Sequence, residues 1–503
     1  MKHGRIASTL IGAGALLLAA APATAQVAVQ QLGKLDLFST GATDTGLGAD
    51  LWKGASADIA REVIPGLAQR PLSPAAAALA RRVLSTAAAA PDGAGSDTAL
   101  AGARAQTLLA LGDAADAQAI LDHTSNLNND GALSQVAAEA ALIAGNTDRA
   151  CATADALTAD RGGVYWLRLR AFCQARAGQT AAAQLTFDLA QEQGRDATYA
   201  RLMGAVMGGG DPGAGSLRNG LDYALTTQLK LEPSLTPDSL EDAEPAIRAK
   251  FLAAGAFRIT LVDPAVEPQA AILGALRRSK TVKGFVAAAT EAEPKLAALV
   301  QANTPLLDPI LMATAAVAAS DLPTAQAIRV GLMANAPEGD ASVDLALLDA
   351  LLAASAGKAE EAALGGLIDH AFGPSKIRCQ AGAGLLAALG TPMSGEARAA
   401  FAKFELGKQD ASDARLLAMD LAADAGRKGE AALLALYIAQ AGPAQGPAPA
   451  DRARIVRALS RAGLKTDARA FAVEGLLALS PSVAPPPAPA KPAAKPAKKP
   501  AKH

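Results

Sequence analysis

Residues 136–150 read VAAEAALIAGNTDRA and contain the signals for the end of one helix and the start of the next. The apolar residues up to Ile143 are typical of a helix, and Gly145 is the residue type best able to adopt the left-handed conformation after a helix end. Residues 146–148, Asn-Thr-Asp, supply the side-chain oxygens that cap a following helix. The small side chain of Ala150 lets that second helix approach the first. The stretch therefore predicts a helical hairpin.

The same Gly-x4-Ala pair recurs along the chain. The full copies are Gly112/Ala117, Gly145/Ala150, Gly178/Ala183, Gly357/Ala362, Gly426/Ala431 and Gly463/Ala468, and two weaker copies are Ser320/Ala325 and Gly390/Gly395. The copies form two runs, one from Gly112 to Gly178 and one from Ser320 to Gly463. Within each run, neighbouring copies lie 33 to 37 residues apart. This period is the size of one helix–turn–helix unit. The sequence therefore predicts an all-α protein, an α-solenoid of antiparallel helix pairs.

Composition and charge agree with that class. Hydrophobic residues make up 51% of the chain and aromatic residues only 3%, so the core is expected to consist of Ala and Leu, which favour helices. Of the 47 basic residues, two lie in the first 25 residues and five in the last 23, which leaves 40 basic against 48 acidic residues in between. An acidic body does not favour nucleic acid as a partner.

The N-terminus is typical of an exported protein. Lys2 and Arg5 precede a short apolar stretch that ends at Ala21, and Ala23-Thr24-Ala25 matches a cleavage site. This predicts a secretory signal peptide over residues 1–25 and an exported, most simply periplasmic, mature protein. A retained N-terminal anchor is the alternative, and the short apolar stretch disfavours it. No transmembrane span is expected after removal of the signal.

The chain contains three cysteines, Cys151, Cys173 and Cys379. In an exported chain, Cys151 and Cys173 are candidates for a disulfide, because antiparallel packing of their two helices brings the sulfur atoms level. Two buried free thiols are the alternative, since the sequence does not fix the rotation of the helices. Cys379 is expected to be a buried small apolar side chain.

The repeat resembles the tetratricopeptide repeat, in which a Gly closes the first helix and an Ala follows five residues later. The resemblance covers roughly six to eight units between about Gly95 and Ser480. The large aromatic residue of that family is mostly absent, and only the unit with Tyr165, Trp166 and Phe172 comes near it. The resemblance implies a divergent helical array that binds other proteins.

The repeat pattern divides the chain into segments. It lapses between Gly178 and Ser320, where several prolines interrupt the sequence. The predicted organisation is a signal peptide over 1–25, an N-terminal helical cap region over 26–94, helical repeats over 95–235, a divergent helical segment over 236–305, helical repeats over 306–480 and a tail over 481–503.

The tail is rich in Pro, Ala and Lys. With eight prolines among its 23 residues, it is expected to be disordered and extended. Its lysines are candidate contacts for a polyanion: Lys491, Lys495, Lys498, Lys499 and Lys502. Behind an export signal, such a tail is suited to an anionic envelope polymer or lipid headgroup. A simple spacer is an equally good interpretation.

The sequence contains only weak matches to catalytic, cofactor-binding and metal-binding motifs. Residues 126–131 imitate the first half of a calcium loop, but Ala137 stands where the bidentate carboxylate is needed. Residues 208–213 contain a G-x-G-x-x-G pattern without the preceding strand of a dinucleotide site. His123 and His370 each follow an Asp, but sequence neighbours on a helix point in different directions. No catalytic, cofactor-binding or metal-binding residue is predicted.

These features predict an exported scaffold or adaptor that binds protein partners on the concave face of its array, with the basic tail as an envelope tether. The alternative is a component of a peptidoglycan-processing system similar to the helical part of soluble lytic transglycosylases. Those enzymes append a catalytic domain with a Glu-Ser pair, which this sequence lacks. Enzymatic activity is therefore not expected.

Overall fold

The computed structural model describes residues 36–124, 127–233, 235, 240, 242–253, 268–335, 338–358, 360–443 and 445–480. These residues form an all-α fold, as predicted, with two isolated β-bridges as the only strand-like pairing among them. The predicted signal peptide and basic tail lie outside the described residues. The α-helices are α1 (Ala57–Leu67), α2 (Pro74–Ser85), α3 (Thr98–Ala110), α4 (Ala114–Asp122), α5 (Gly131–Ala144), α6 (Thr147–Ala156), α7 (Val164–Arg176), α8 (Thr180–Gln193), α9 (Ala197–Gly208), α10 (Gly220–Gln228), α11 (Pro245–Ala253), α12 (Pro268–Arg278), α13 (Val282–Gln301), α14 (Pro309–Ala318), α15 (Leu322–Leu332), α16 (Asp340–Ala356), α17 (Glu361–Asp369), α18 (Lys376–Ala388), α19 (Gly395–Phe401), α20 (Asp413–Asp424), α21 (Lys428–Ala441), α22 (Pro449–Arg461) and α23 (Lys465–Ala478).

The first residue of the repeated pair ends a helix in all eight copies. Each has a positive φ, including Ser320 at 67°, a conformation that is rare for residues other than glycine. The residue five positions later is fully buried in six copies, namely Ala117, Ala150, Ala183, Ala325, Ala431 and Ala468. The predicted roles of helix stop and packing contact are confirmed at these positions.

Two copies differ in their second residue, because Ala362 and Gly395 are exposed. Helix α17 begins four residues after Gly357, whereas α6 begins two residues after its glycine. This longer connection moves the buried positions to Ala363 and Leu364. The predicted packing role of Ala362 is therefore wrong, and Gly395 is instead the first residue of α19.

Consecutive helices pack against each other as pairs, among them α3–α4, α5–α6, α7–α8, α14–α15, α20–α21 and α22–α23. The short connections between these partners require the helices to run antiparallel. Neighbouring pairs also touch, since α4 packs on α5 and α6 packs on α7. Helix α10 returns to contact α5, which closes off a second hydrophobic cluster around α5 to α10.

The N-terminal helices pack against the C-terminal ones. Helix α1 contacts α21 and α3, and α2 contacts α21 and α23. Glu430 on α21 accepts a hydrogen bond from the N–H of Ser56 at 2.8 Å, and Glu474 on α23 accepts one from the N–H of Ala75 at 2.6 Å. Two carboxylates near the C-terminus therefore satisfy backbone donors at the starts of α1 and α2.

Arg104 on α3 fixes the segment before α1. Its side chain is fully buried, and its guanidinium lies 5.0 Å from the centre of the Phe38 ring. Burial lowers the pKa of Arg104 to about 10, so the side chain remains charged at neutral pH. The guanidinium donates to five backbone carbonyl oxygens, those of Leu37, Phe38, Thr40, Leu84 and Thr86.

Candidate functional site

A polar cavity of about 190 Å³ lies among α5, α7, α9 and α10. Glu139 of α5 enters it and accepts a hydrogen bond through Oε2 from the N–H of Gly220, 2.6 Å away at the start of α10. Tyr165 and Arg168 of α7 also line it. The exposed Gln135 marks its rim. The cavity thus combines ionisable groups from three helices with an opening toward solvent.

The other carboxylates at this cavity are fully committed to partners. Asp196 caps α9 by accepting from the N–H groups of Thr198 and Tyr199, both at 3.1 Å. Arg218 donates to Asp196 at 3.0 Å and to Asp222 at 2.8 Å. Burial opposes the ionisation of Asp196, but the N–H of Tyr199 and the charge of Arg218 outweigh it and lower its pKa.

Glu139 and Tyr165 differ from Asp196, because the pKa of each is raised. Burial raises the pKa of Glu139, and the charges of Glu244 and Asp222 act in the same direction against the opposing N–H of Gly220 and hydroxyl of Tyr165. Burial also raises the pKa of Tyr165. Glu139 Oε1 and Tyr165 Oη are buried, and neither completes a hydrogen bond of regular geometry within the described residues. Glu139 and Tyr165 therefore interact with each other, without the geometry of a regular hydrogen bond.

Glu139 was not predicted as a site residue, although a signal is present in the sequence. It is the one charged residue in the apolar run VAAEAALIA. A carboxyl in such a position either faces solvent or is buried with a specific partner. The partner is the backbone of Gly220, which lies 81 positions away and has no local signature.

The sulfur atoms of Cys151 and Cys173 are joined in a disulfide that links α6 to α7, with their Cα atoms 5.7 Å apart. Cys379 of α18 is a buried free thiol, and burial raises its pKa.

The motifs considered for chemistry have structural roles where the structure describes them. Asp130 of the calcium-like loop caps α5 by accepting from the N–H groups of Ala132 and Leu133, at 2.9 and 3.0 Å. Nδ1 of the exposed His123 lies 2.9 Å from the carbonyl oxygen of Ala119, and His370 follows the end of α17. Across the described ranges, no group of His, Cys, Asp and Glu side chains has the arrangement of a metal site. The five tail lysines lie outside the described residues.

An apolar groove of about 570 Å³ lies among α2, α13, α14 and α23. Its lining includes Val282, Val317 and Val473, with Arg469 and Glu474 as charged groups. Glu474 is already engaged, since it accepts from Arg452 at 2.7 Å as well as from the backbone of α2.

The outer surface carries leucines in pairs. On α20, Leu417 and Leu421 are 56% and 55% exposed, and Ala414 is exposed on the same face. On α8, Leu185 and Leu189 are 73% and 44% exposed. Residues spaced by three or four on a helix lie on one face, so each pair forms a continuous apolar stripe.

Comparison with protein-family models, with curated proteins and with solved structures gives no match for this chain. Among the described helices, none is both long enough and apolar enough to cross a membrane.

Proposed function

We propose that this protein is an exported, periplasmic scaffold or adaptor, an α-solenoid-like array that binds protein partners. The observation that carries the proposal is the stripe on α20. Ala414, Leu417 and Leu421 follow the spacing i, i+3, i+7, which places them on one helix face. The opposite face of α20 packs on α21 and α22, so the stripe faces solvent and is available to a partner. An amphipathic helix of another protein has the complementary shape and chemistry.

Charged pairs lie close to the stripe on the same helix. Asp420 pairs with Arg454 and Asp424 pairs with Arg461, so charged pairs connect α20 to α22 beside the leucines. An apolar centre with a charged rim is the usual composition of a protein interface. The basic tail is proposed as a second, weaker contact that holds the scaffold near an anionic envelope polymer.

The disulfide supports the proposal of export, because disulfides persist in oxidising compartments and are rare in the cytosol. Mass spectrometry of the protein from its native host tests the predicted processing. A mature N-terminus at Gln26 in the periplasmic fraction, with Cys151 and Cys173 resistant to alkylation, is the expected result. An unprocessed chain in the cytosolic fraction would contradict the proposal.

Site-specific photocrosslinking in cells tests the binding role. The photoreactive residue replaces Ala414, at the edge of the stripe, so that both leucines remain. The expected result is a discrete crosslinked protein that is lost when Leu417 and Leu421 are both changed to Glu. The matched control changes Leu185 and Leu189 to Glu, which introduces the same two charges on α8.

Retention of the crosslink in the α8 variant supports a specific docking surface on α20. Equal crosslinking in the wild type, the α20 variant and the α8 variant would refute a role for the stripe. The absence of crosslinking in the wild type would also refute it. Melting temperatures of both variants check that the fold is intact, since the exposed leucines contribute little to the core.

A further inference from the structure

The apolar groove among α2, α13, α14 and α23 is open to solvent and has the size of a ligand site. Its volume of about 570 Å³ lies within the range of about 300–1,000 Å³ that is usual for small-molecule sites. Val282, Val317 and Leu477 are buried side chains of its lining, and the exposed Ala78 and Thr466 mark its opening. A molecule in solution therefore has access to the groove.

Both carboxylates of α23 are already engaged. Glu474, which lines the groove, accepts from Arg452 at 2.7 Å and from the N–H of Ala75 at 2.6 Å, one bond to each oxygen. Asp467 pairs with Arg82. The negative charges of α23 are thus balanced by groups outside the groove, and they leave the cations of this helix without a partner on it.

Arg469 of α23 connects the groove to a second cavity, of about 290 Å³, at the end of α16. Its guanidinium lies against Gly357, the residue that ends α16, where any side chain would collide with it. Arg469 is half-buried and forms no ion pair within the described ranges. One unpaired guanidinium therefore stands where an apolar space meets a second one.

The second cavity has the composition of an anion site. Lys358 and Lys465 line it together with Arg469, and no carboxylate is present among the described residues of its lining. Thr391 also lines it, is only 6% exposed, and has a hydroxyl with no hydrogen-bond partner in the described part of the chain. Three cations and a hydroxyl donor therefore surround one space without a counter-charge.

The position of these cations also favours an anionic ligand. Lys465 is the first residue of α23, and the preceding Leu464 supplies no side-chain cap. The dipole of a helix favours an anion at this end rather than a cation. Lys358 follows the end of α16, where the dipole does favour a cation. The positive charge at the start of α23 is therefore the part that an anion would compensate.

We propose that the groove and the second cavity together bind an amphiphile with one alkyl chain and an anionic head group, such as a fatty acid. The head group binds Arg469 and Lys465, and the chain extends along α23 toward Leu477. Residues 469 to 477 span about 12 Å at the rise of an α-helix, which suits an alkyl chain of medium length. The proposal does not rest on the docking stripe of α20.

Titration calorimetry at neutral pH with decanoate tests the site, because this probe carries a carboxylate at the end of one alkyl chain. Decyltrimethylammonium has the same chain with a cationic head, and acetate has the head without the chain. All probes stay below the concentrations at which they form micelles. The expected result is saturable binding of decanoate, with binding of the other two weaker by about tenfold or more, since each satisfies only half of the site.

Variants separate the site from general effects. Arg469→Gln is expected to weaken decanoate binding about tenfold or more, because charge-assisted hydrogen bonds are lost. Arg457→Gln on the exposed face of α22 removes the same charge elsewhere and is expected to leave binding unchanged. Ala470→Leu narrows the groove beside Arg469 and is expected to weaken decanoate binding. Melting temperatures of the variants establish that each is folded.

Equal decanoate binding to the wild type and to Arg469→Gln would overturn the proposal. So would the absence of saturable heat up to about 1 mM decanoate. Decyltrimethylammonium binding as tightly as decanoate would overturn the anionic head group. Inorganic phosphate binding as tightly as decanoate, or unchanged decanoate binding to Ala470→Leu, would overturn the role of the alkyl chain in the groove.

Discussion

Replacement of Arg104 by Lys tests whether one guanidinium holds the N-terminal segment in place. Arg104 uses all five of its N–H groups on five carbonyl oxygens, and a lysine ammonium has three. The carbonyl of Phe38 also accepts from the N–H of Ala88, so it keeps a donor, and at least one of the other four carbonyls loses its own. At about 1–3 kcal/mol for each unsatisfied group, Arg104→Lys is expected to destabilise this segment by at least about 1 to 3 kcal/mol.

The fluorescence of Trp52 reports on the folding of this segment. Trp52 is fully buried, and its ring centre lies 5.8 Å from that of Phe38, whose carbonyl accepts from Arg104. Urea unfolding followed by Trp52 fluorescence, in a Trp166→Phe background, measures the stability of this region. The expected result is a shift of the Trp52 transition to lower urea concentration.

Arg81→Lys is the matched control. Arg81 is near the end of α2 and donates to the single carbonyl of Leu111 at 3.0 Å, a bond that a lysine can replace. Its effect is expected to stay within about 0.5 kcal/mol. A loss below about 1 kcal/mol for Arg104→Lys, or a loss equal to that of Arg81→Lys, would refute the reasoning.

Three other predictions concern single features of the fold. Serine replacement of both Cys151 and Cys173, 22 positions apart, is expected to cost about 3 kcal/mol in thermal or urea unfolding, because the disulfide restricts the unfolded chain; an unchanged midpoint would contradict this. Ser320→Gly is expected to stabilise the protein by about 1 kcal/mol, since Ser320 has a φ of 67°, and Ser320→Ala serves as the comparison that brings no gain. The raised pKa of Glu139 means that its contribution to stability is present below its ordinary value of 4.5 and is lost as the pH rises through the folded-state pKa. Differential scanning calorimetry from pH 4 to 7 is expected to show Glu139→Gln gaining on the wild type as the pH rises, and parallel curves would be the contrary result.

The sequence predicts features that are determined by neighbouring residues. The short turn between the paired helices uses a left-handed residue at the helix end, so Gly112 and Gly145 are recognisable without any tertiary information. Ala362 shows the limit of this reasoning. Its predicted burial depends on the length of the preceding connection, which is longer by two residues than that before α6.

Features that depend on distant residues could not be predicted. No periodicity indicates that α1 and α2 contact α21, because this contact joins the first part of the described chain to the last. The partner of Glu139 is a backbone N–H at the start of α10, and any residue type other than proline supplies one. The cavity around Glu139 is therefore a product of how the helix pairs meet.

The carboxylate contacts of α1 and α2 have a consequence for the order of folding. Ser56 and Glu430 are 374 positions apart, and Ala75 and Glu474 are 399 positions apart. At a synthesis rate of about 5–20 residues per second, the first two helices emerge roughly 20 seconds or more before the residues that complete them. During that interval α3 covers part of their apolar faces, and the parts that pack against α21 and α23 have no cover. We therefore expect a nascent chain of this protein to expose apolar helix surface for longer than a chain whose helices pack only on their neighbours in sequence.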